Sequence, residues 1–537
     1  MITQNNIQTI TGAKAIIETL KSFDVDTIFG YPGGVVLDLY DELFKDKTVK
    51  HILMRHEQSA VHAAEGYARE TGKCGIVLVT SGPGATNTIT GIMNAYMDGY
   101  PLIILTGQVS KNVLGTNAFQ EANICDMVKT CTKASFQITS AQEIPAVFNK
   151  AFNITQSGKK GPVVIDLVKD IFKQKIKYDP KSIHFEDIQK SKNEINIDKL
   201  ISAIENSERP IIVSGGGVKH SKAEDDLLKI ANEYNIPVVT TMMGVGTFPQ
   251  LNKNYLGMIG IFGNKSANTL LEKSDLVISL GARFNDRITN RNSIENKLFQ
   301  IDINPEEISK SIFTKNYIVG DIKKVLSQLK LNKSFSSWNC YAQQLKSENT
   351  TRTKTTNMLH SFEVIQELEK CTQDKNITFT SEVGQHQLWA VQNLNLYKNR
   401  KILVSGGLGT MGFGLPAGIG AAIANPQKPV VCICGDGSFQ MSLHELATCK
   451  ENNLNIKILI LNNGYLGMVR QLQEKQCEGR YSQTKITNPD FVTLAKSYGI
   501  DAVRANNMLE AKSALRKAFD TNKTFIIDFV IEPMEVL

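Results

Sequence analysis

VVCICGDGSFQ (residues 430–440) and ILILNNGY (residues 458–465) are the stretches around which the chain is organised. Val430 to Cys434 is a short apolar run of strand type that enters the turn Gly435-Asp436-Gly437. Ile456 to Leu461 is a second such run, ending on Asn462-Asn463, with Asn463 placed 27 positions after Asp436. Nearly continuous apolar runs of this length, the second broken only by Lys457, suit parallel strands buried on both faces. If the two strands share a sheet, Asp436 and Asn463 converge at its carboxyl edge, where open α/β sheets bind ligands. A carboxylate and an amide oxygen there suit Mg²⁺, which takes oxygen ligands and keeps phosphates in its shell. The flanking glycines let the backbone approach a diphosphate closely. A Gly-Asp-Gly by itself is an ordinary strand-to-helix turn, and the strand ending in Asn-Asn is what makes it informative.

Outward from that core, the whole chain alternates apolar strands with helical periodicity, so the expected class is α/β. A length of 537 residues exceeds one core. Three tandem doubly wound parallel-sheet domains are expected, over residues 1–180, 190–335 and 355–537. In the first, strands are predicted at Thr27–Phe29, His51–Met54, Ile76–Thr80, Leu102–Thr106 and Val163–Leu167, after an entry helix from Ala13 to Phe23. The second begins at Pro210–Ser214 with its Gly215-Gly216-Gly217 turn and closes near Phe299–Asp302. Polar stretches without a period, at about 171–197 and from Leu331 to Asn357, read as linkers.

Composition narrows the class. The chain is 42% apolar and 21% charged, and no apolar run reaches the roughly 18 residues of a membrane span. The net charge of +7 is dispersed, which speaks against nucleic acid and is compatible with small acidic substrates. Nine cysteines, several inside apolar strands and none in a CxxC pair, indicate a reduced intracellular protein. The first twelve residues carry neither a secretory nor a transit-peptide pattern. A cytoplasmic location is expected, or the plastid stroma if the chain is organelle-encoded.

Two further turns sit at the edge of the first sheet. Arg55-His56-Glu57-Gln58 opens a helix through Gly66-Tyr67-Ala68-Arg69, and Ser81-Gly82-Pro83-Gly84 follows the next strand, with Tyr31-Pro32-Gly33-Gly34 nearby in sequence. With the Gly-Asp-Gly and Asn-Asn pair, these motifs resemble the pyrimidine-binding and diphosphate-binding domains of thiamine diphosphate (ThDP) enzymes. Gly107-Gln108-Val109 followed by Thr116, Ala118, Phe119, Gln120 and Glu121, and Gly467-Met468-Val469-Arg470-Gln471, are similar to the acetohydroxyacid synthase (acetolactate synthase) family, along nearly the whole chain.

The resemblance implies the site. Glu57 would pair with the aminopyrimidine, and Gly34, Phe119, Gln120 and Lys169 would line the reacting centre. Gln385, His386, Gly409, Met411, Gly437 and Ser438 would hold ThDP, while Asp436, Asn463 and the backbone oxygen of Tyr465 would hold Mg²⁺. FAD, structural in this family because the net reaction moves no electrons, would meet Arg283, Asp302 and Asp321, with Arg287 a further phosphate partner. Small 2-ketoacids are the implied substrates, a homodimer or dimer of dimers the implied assembly, and a small regulatory subunit an implied partner. Departures are visible. Ile261-Phe262-Gly263 stands where the family has Met-His-Gly, Asn285 where it has Asp, Ser110 where many members have Pro, and Leu472 where it has Trp. The competing expectation, a pyruvate oxidase-like flavoenzyme, is disfavoured by Phe119-Gln120-Glu121 and the Gly467–Gln471 segment.

Overall fold

A computed structural model describes residues 7–183, 195–288, 293–347, 354 and 356–537. It contains three six-stranded sheets, every pairing within them parallel. Counting strands along each domain, the first sheet (Thr27–Gly30, Lys50–Leu53, Gly75–Val79, Leu102–Gln108, Ala134–Ile138, Pro162–Val168) has the order 2-1-3-4-6-5. The third (Ile377–Ser381, Arg400–Val404, Val430–Gly435, Ile456–Asn462, Asp501–Ala505, Phe525–Val530) has the same order. The central sheet, opening with Pro210–Ser214, runs 3-2-1-4-5-6, the order of dinucleotide-binding folds. The strands expected from their apolar runs are present, and Val430–Gly435 pairs with Ile456–Leu461 in parallel register, bringing Asp436 beside Asn462.

Two stretches read as linkers are partly structured. Lys175–Tyr178 pairs antiparallel with Gln8–Thr11, turning Ile176 and Tyr178 inward and the lysines outward. A strand of four residues offers only two apolar positions, too few to stand out from a polar run. Ser336–Ser347 is a helix whose Trp338 and Ala342 join the central core, the Trp338 indole donating to Pro210 O at 2.9 Å. Residues 184–194 and most of 348–355, also within those stretches, lie outside the described residues.

The first and third domains share one core. At its centre the Glu57–Thr71 helix crosses the Gly414–Ala424 helix at backbone contact. A Cβ at Gly66 would lie 2.1 Å from Ala417 O, and one at Gly420 would lie 1.8 Å from Ala63 O. Neither backbone can retreat without moving its sheet. Gly420→Ala is therefore expected to destabilise the fold by about 1–3 kcal/mol, the usual range for overpacking, lowering the melting temperature. Gly34→Ala, whose Cβ would meet nothing within 4 Å, should melt as the wild type does.

Candidate functional site

The strand order of the third sheet reverses between Ile377–Ser381 and Val430–Gly435, and the predicted diphosphate residues cluster at that switch point. Gln385 and His386 open the helix after the former strand, and Asp436 opens a short helix after the latter. Asp436 is buried and accepts from Gly464 N at 2.8 Å and Asn488 Nδ2 at 2.7 Å. Burial pushes its carboxyl above the ordinary value, these two donors offsetting part of the cost. The Asn463 amide oxygen accepts from Tyr465 N at 2.9 Å, and Asn463 Nδ2 and Gln385 Oε1 both face Gly467. His386 Nδ1 comes within 3.0 Å of the position of a Gly435 Cβ, while Met411 Cε and Leu466 Cδ2 close around Gly437. Ser438 is buried in the same turn, and Gly409 adopts φ 73° in the loop before Met411.

This edge has unmet bonding capacity that fits a diphosphate and a cation. His386 Nε2 and Glu382 Oε1 lie 3.6 Å apart, both buried without a hydrogen-bond partner, and Gln387 Nε2 and Gln471 Nε2 are in the same condition. Several participants were not foreseen. Glu382 Oε2 caps the Gly414–Ala424 helix by accepting from Gly414 N at 2.7 Å. Asn488 bridges Asp436 and Asn462. Gln385 Nε2 donates to Gln471 Oε1 at 2.7 Å and to Glu535 O at 3.0 Å, so the residues near the C-terminus brace the site. Asn488 sits in an irregular loop 52 positions from Asp436 and has no local signature.

A second group forms on the first domain. Glu57 begins its helix, where the helix dipole favours an acidic group, and accepts from Asn87 Nδ2 at 3.0 Å. Gly84 adjoins its carboxylate, and Gly82, with φ 58°, packs against Gln120, itself at φ 60°. The segment carrying Phe119 and Gln120 is anchored from beneath: Gln108 Nε2 donates to Ala122 O at 2.7 Å and to Asp166, whose carboxyl burial pushes up to about 6. Phe119 itself is 89% exposed. Gly34 begins a 3-10 turn, and Gly33, rather than Gly34, makes the close approach, against Thr80. Lys169 is exposed at the end of Pro162–Val168, and its neighbour Asp170 accepts from Lys111 N beside Ser110.

A cavity of about 630 Å³ lies where all three domains meet. Its walls carry Gly216, Arg283, Asp302 and Asp321 on one side and Gly409, Met468 and Leu472 on the other. Asp302 is buried and accepts from Asn304 N at 2.9 Å, while Asp321 caps the helix that follows it. A space of this volume between two glycine turns with Arg283 at its side fits a flavin dinucleotide. Phe262, one of the departures from the family's Met-His-Gly, leaves the wall more apolar. Arg287 is exposed and pairs with Asp286 at 3.6 Å. None of Glu57, Phe119, Gln120 or Lys169 lines this cavity.

An edge with a buried Asp beside an Asn pair, a glutamate-led helix and two outer domains of one topology with a dinucleotide-type central domain define a ThDP-dependent enzyme. The chain accordingly matches three families described as thiamine pyrophosphate enzyme domains: the N-terminal TPP binding domain over residues 10–127, the central domain over 197–329 and the C-terminal TPP binding domain over 382–529. It is 40% identical over 550 residues to the acetolactate synthase large subunit of Buchnera aphidicola, covering 98% of this chain and 96% of that protein. Identity is 38% over 548 residues to that of Haemophilus influenzae (98% and 95% covered) and 40% over 551 residues to that of Cyanidium caldarium (98% and 94%). The chain belongs to the acetolactate synthase large-subunit family. No helix among the described residues is long and apolar enough to cross a membrane.

Proposed function

We propose that the chain decarboxylates pyruvate and joins the remaining two-carbon unit to a second 2-ketoacid. Pyruvate as acceptor gives 2-acetolactate, and 2-ketobutyrate gives 2-aceto-2-hydroxybutyrate, in branched-chain amino-acid synthesis. The observation carrying this reading is the gathering of Asp436, Asn463, Gln385 and His386 at one switch point in a chain alike to acetolactate synthase large subunits throughout. Bound ThDP supplies the nucleophilic carbon at which pyruvate loses carbon dioxide. Asp436, Asn463 and the Tyr465 carbonyl hold Mg²⁺, and Gln385, His386, Gly437 and Ser438 hold the diphosphate. Met411 supports the pyrimidine ring, and Gly409 shapes the loop beside it. Glu57 keeps a proton at the pyrimidine nitrogen, the use of a carboxyl group positioned for proton transfer. Gly34, Phe119, Gln120 and Lys169 border the ketoacids. FAD in the cavity beside Arg283, Asp302 and Asp321 has a structural role.

Phe119, Met441 and Leu472 leave apolar area exposed. A second copy of the chain, as a homodimer or dimer of dimers, covers that area and completes the site. The relatives' designation as large subunits supports a small regulatory partner. The location proposed is the cytoplasm, or the plastid stroma for an organelle-encoded chain.

Acetolactate should form from pyruvate with ThDP and Mg²⁺, assayed with and without FAD; acetate or peroxide in its place would refute the reading. Leu472 stands at the cavity wall where an indole would offer more apolar contact. A methylene-sized difference is worth about 1–3 kcal/mol. With both ketoacids present, the product ratio should favour acetohydroxybutyrate less than in relatives carrying Trp, and Leu472→Trp should raise that preference. With Ser110 also departing from Pro, tolerance of sulfonylurea-type inhibitors is expected.

A further inference from the structure

We infer that Asp98 is a positioning residue: it sets the backbone of the Ser405–Gly409 turn and thereby the wall of the cavity proposed to take flavin. The inference rests on that reading of the cavity. Asp98 ends the Ile89–Asp98 helix of the first domain, yet its side chain, fully buried, serves the third. Its Oδ1 accepts from Gly407 N at 2.7 Å and its Oδ2 from Gly406 N at 3.2 Å. Oδ2 also accepts from Arg69 Nη2 at 2.7 Å. Arg69 is held in turn by Glu65, by Val404 O at 2.9 Å and by stacking over the rings of Tyr100 and Phe413. One turn back on the same helix, Asn94 Oδ1 accepts from Ser405 Oγ at 2.5 Å and Thr410 Oγ1 at 3.0 Å, and its amide donates to Glu65. Both ends of the glycine turn are thus tied to one helix of another domain.

The turn has no slack on either side. A Cβ at Gly406 would lie 2.1 Å from Met243 Sδ of the central domain. One at Gly407 would lie 2.8 Å from Asp98 Oδ1 and 3.3 Å from Arg283 Nη2. Ser405 to Gly409 line the cavity together with Asp98, Met243 and Arg283. The carboxylate consumes the glycine N–H groups that would otherwise turn toward an anion, and presents the bare glycine faces to the space beside Arg283. An amide at position 98 cannot do this, because one of its two heavy atoms is a donor facing a donor.

Asp98→Asn is expected to weaken FAD binding by about tenfold or more, the scale of a lost charged hydrogen bond, measured by flavin fluorescence quenching on the full chain. ThDP affinity, followed by intrinsic fluorescence with Mg²⁺, should change much less. Thr410→Val removes one tie without altering the cavity wall and is expected to give a smaller loss in the same direction, which keeps the test available should Asp98→Asn not fold. Unaltered flavin affinity in folded variants overturns the inference while leaving the cavity assignment standing. A wild-type chain that binds no flavin overturns the cavity assignment and the inference with it. Equal losses of flavin and ThDP affinity would mark Asp98 as a general structural tie and overturn the positioning role.

Discussion

Glu57→Gln is expected to leave a folded protein that still binds ThDP while acetolactate formation falls about 10²- to 10⁴-fold, the usual contribution of a positioned proton-transfer group. Glutamine matches glutamate in size and can still accept from Asn87 Nδ2, which Glu57 does at 3.0 Å. It also tolerates the contact with Gly84, whose Cβ would lie 3.6 Å from Glu57 Oε1. What it cannot do is give and take a proton at that oxygen. Steady-state acetolactate production, with ThDP binding measured on the same preparation, separates the two effects. Activity close to that of the wild type would reduce Glu57 to an acidic residue favoured in a first helical turn.

Asp436→Asn is expected to abolish the rise in melting temperature produced by ThDP with Mg²⁺. A ligand at a hundredfold excess over its Kd stabilises by about 2.7 kcal/mol, so the wild-type rise is readily measured. The cofactor-free variant should melt close to wild type. Asp436 is buried and its carboxyl is raised by that burial, so its ionised form weighs against the cofactor-free fold. A group raised in the folded state costs stability progressively as pH climbs from its ordinary value of 3.8 toward the folded one, and that cost persists above it. Removing the charge lifts the cost, and because Gly464 N and Asn488 Nδ2 both donate to the same oxygen, Oδ2, an amide oxygen in its place still accepts from both. A cofactor-induced shift of wild-type size in the variant would remove Asp436 from the metal site.

The parts of the fold legible in the sequence are those written locally. Val430–Gly435 and Ile456–Asn462 announce themselves by apolar runs that end on oxygen-bearing residues, and their pairing follows from that pattern. Gln385 and His386 sit directly after a strand, so their meeting with Asp436 follows once the strands are neighbours. Asn488, Glu535 and Asp98 act through contacts between segments distant in sequence, or through a backbone carbonyl, and leave no local trace. The Ser336–Ser347 helix was hidden by its polar face, although Trp338, Tyr341, Ala342 and Leu345 fall at helical spacing.

The crossing of the Glu57–Thr71 and Gly414–Ala424 helices is reciprocal: Gly66 meets Ala417, and Gly420 meets Ala63. Positions rise on one helix as they fall on the other, so the pair is antiparallel about an approximate dyad, and each helix follows the second strand of its own sheet. Extending that register places Gly414 level with residue 69, twelve positions and about 18 Å from Glu57 at a rise of 1.5 Å per residue. The acidic end of one helix and the glycine-rich end of the other therefore point to opposite poles of the dyad. With the two ends facing apart, the homodimer proposed above forms complete sites two at a time.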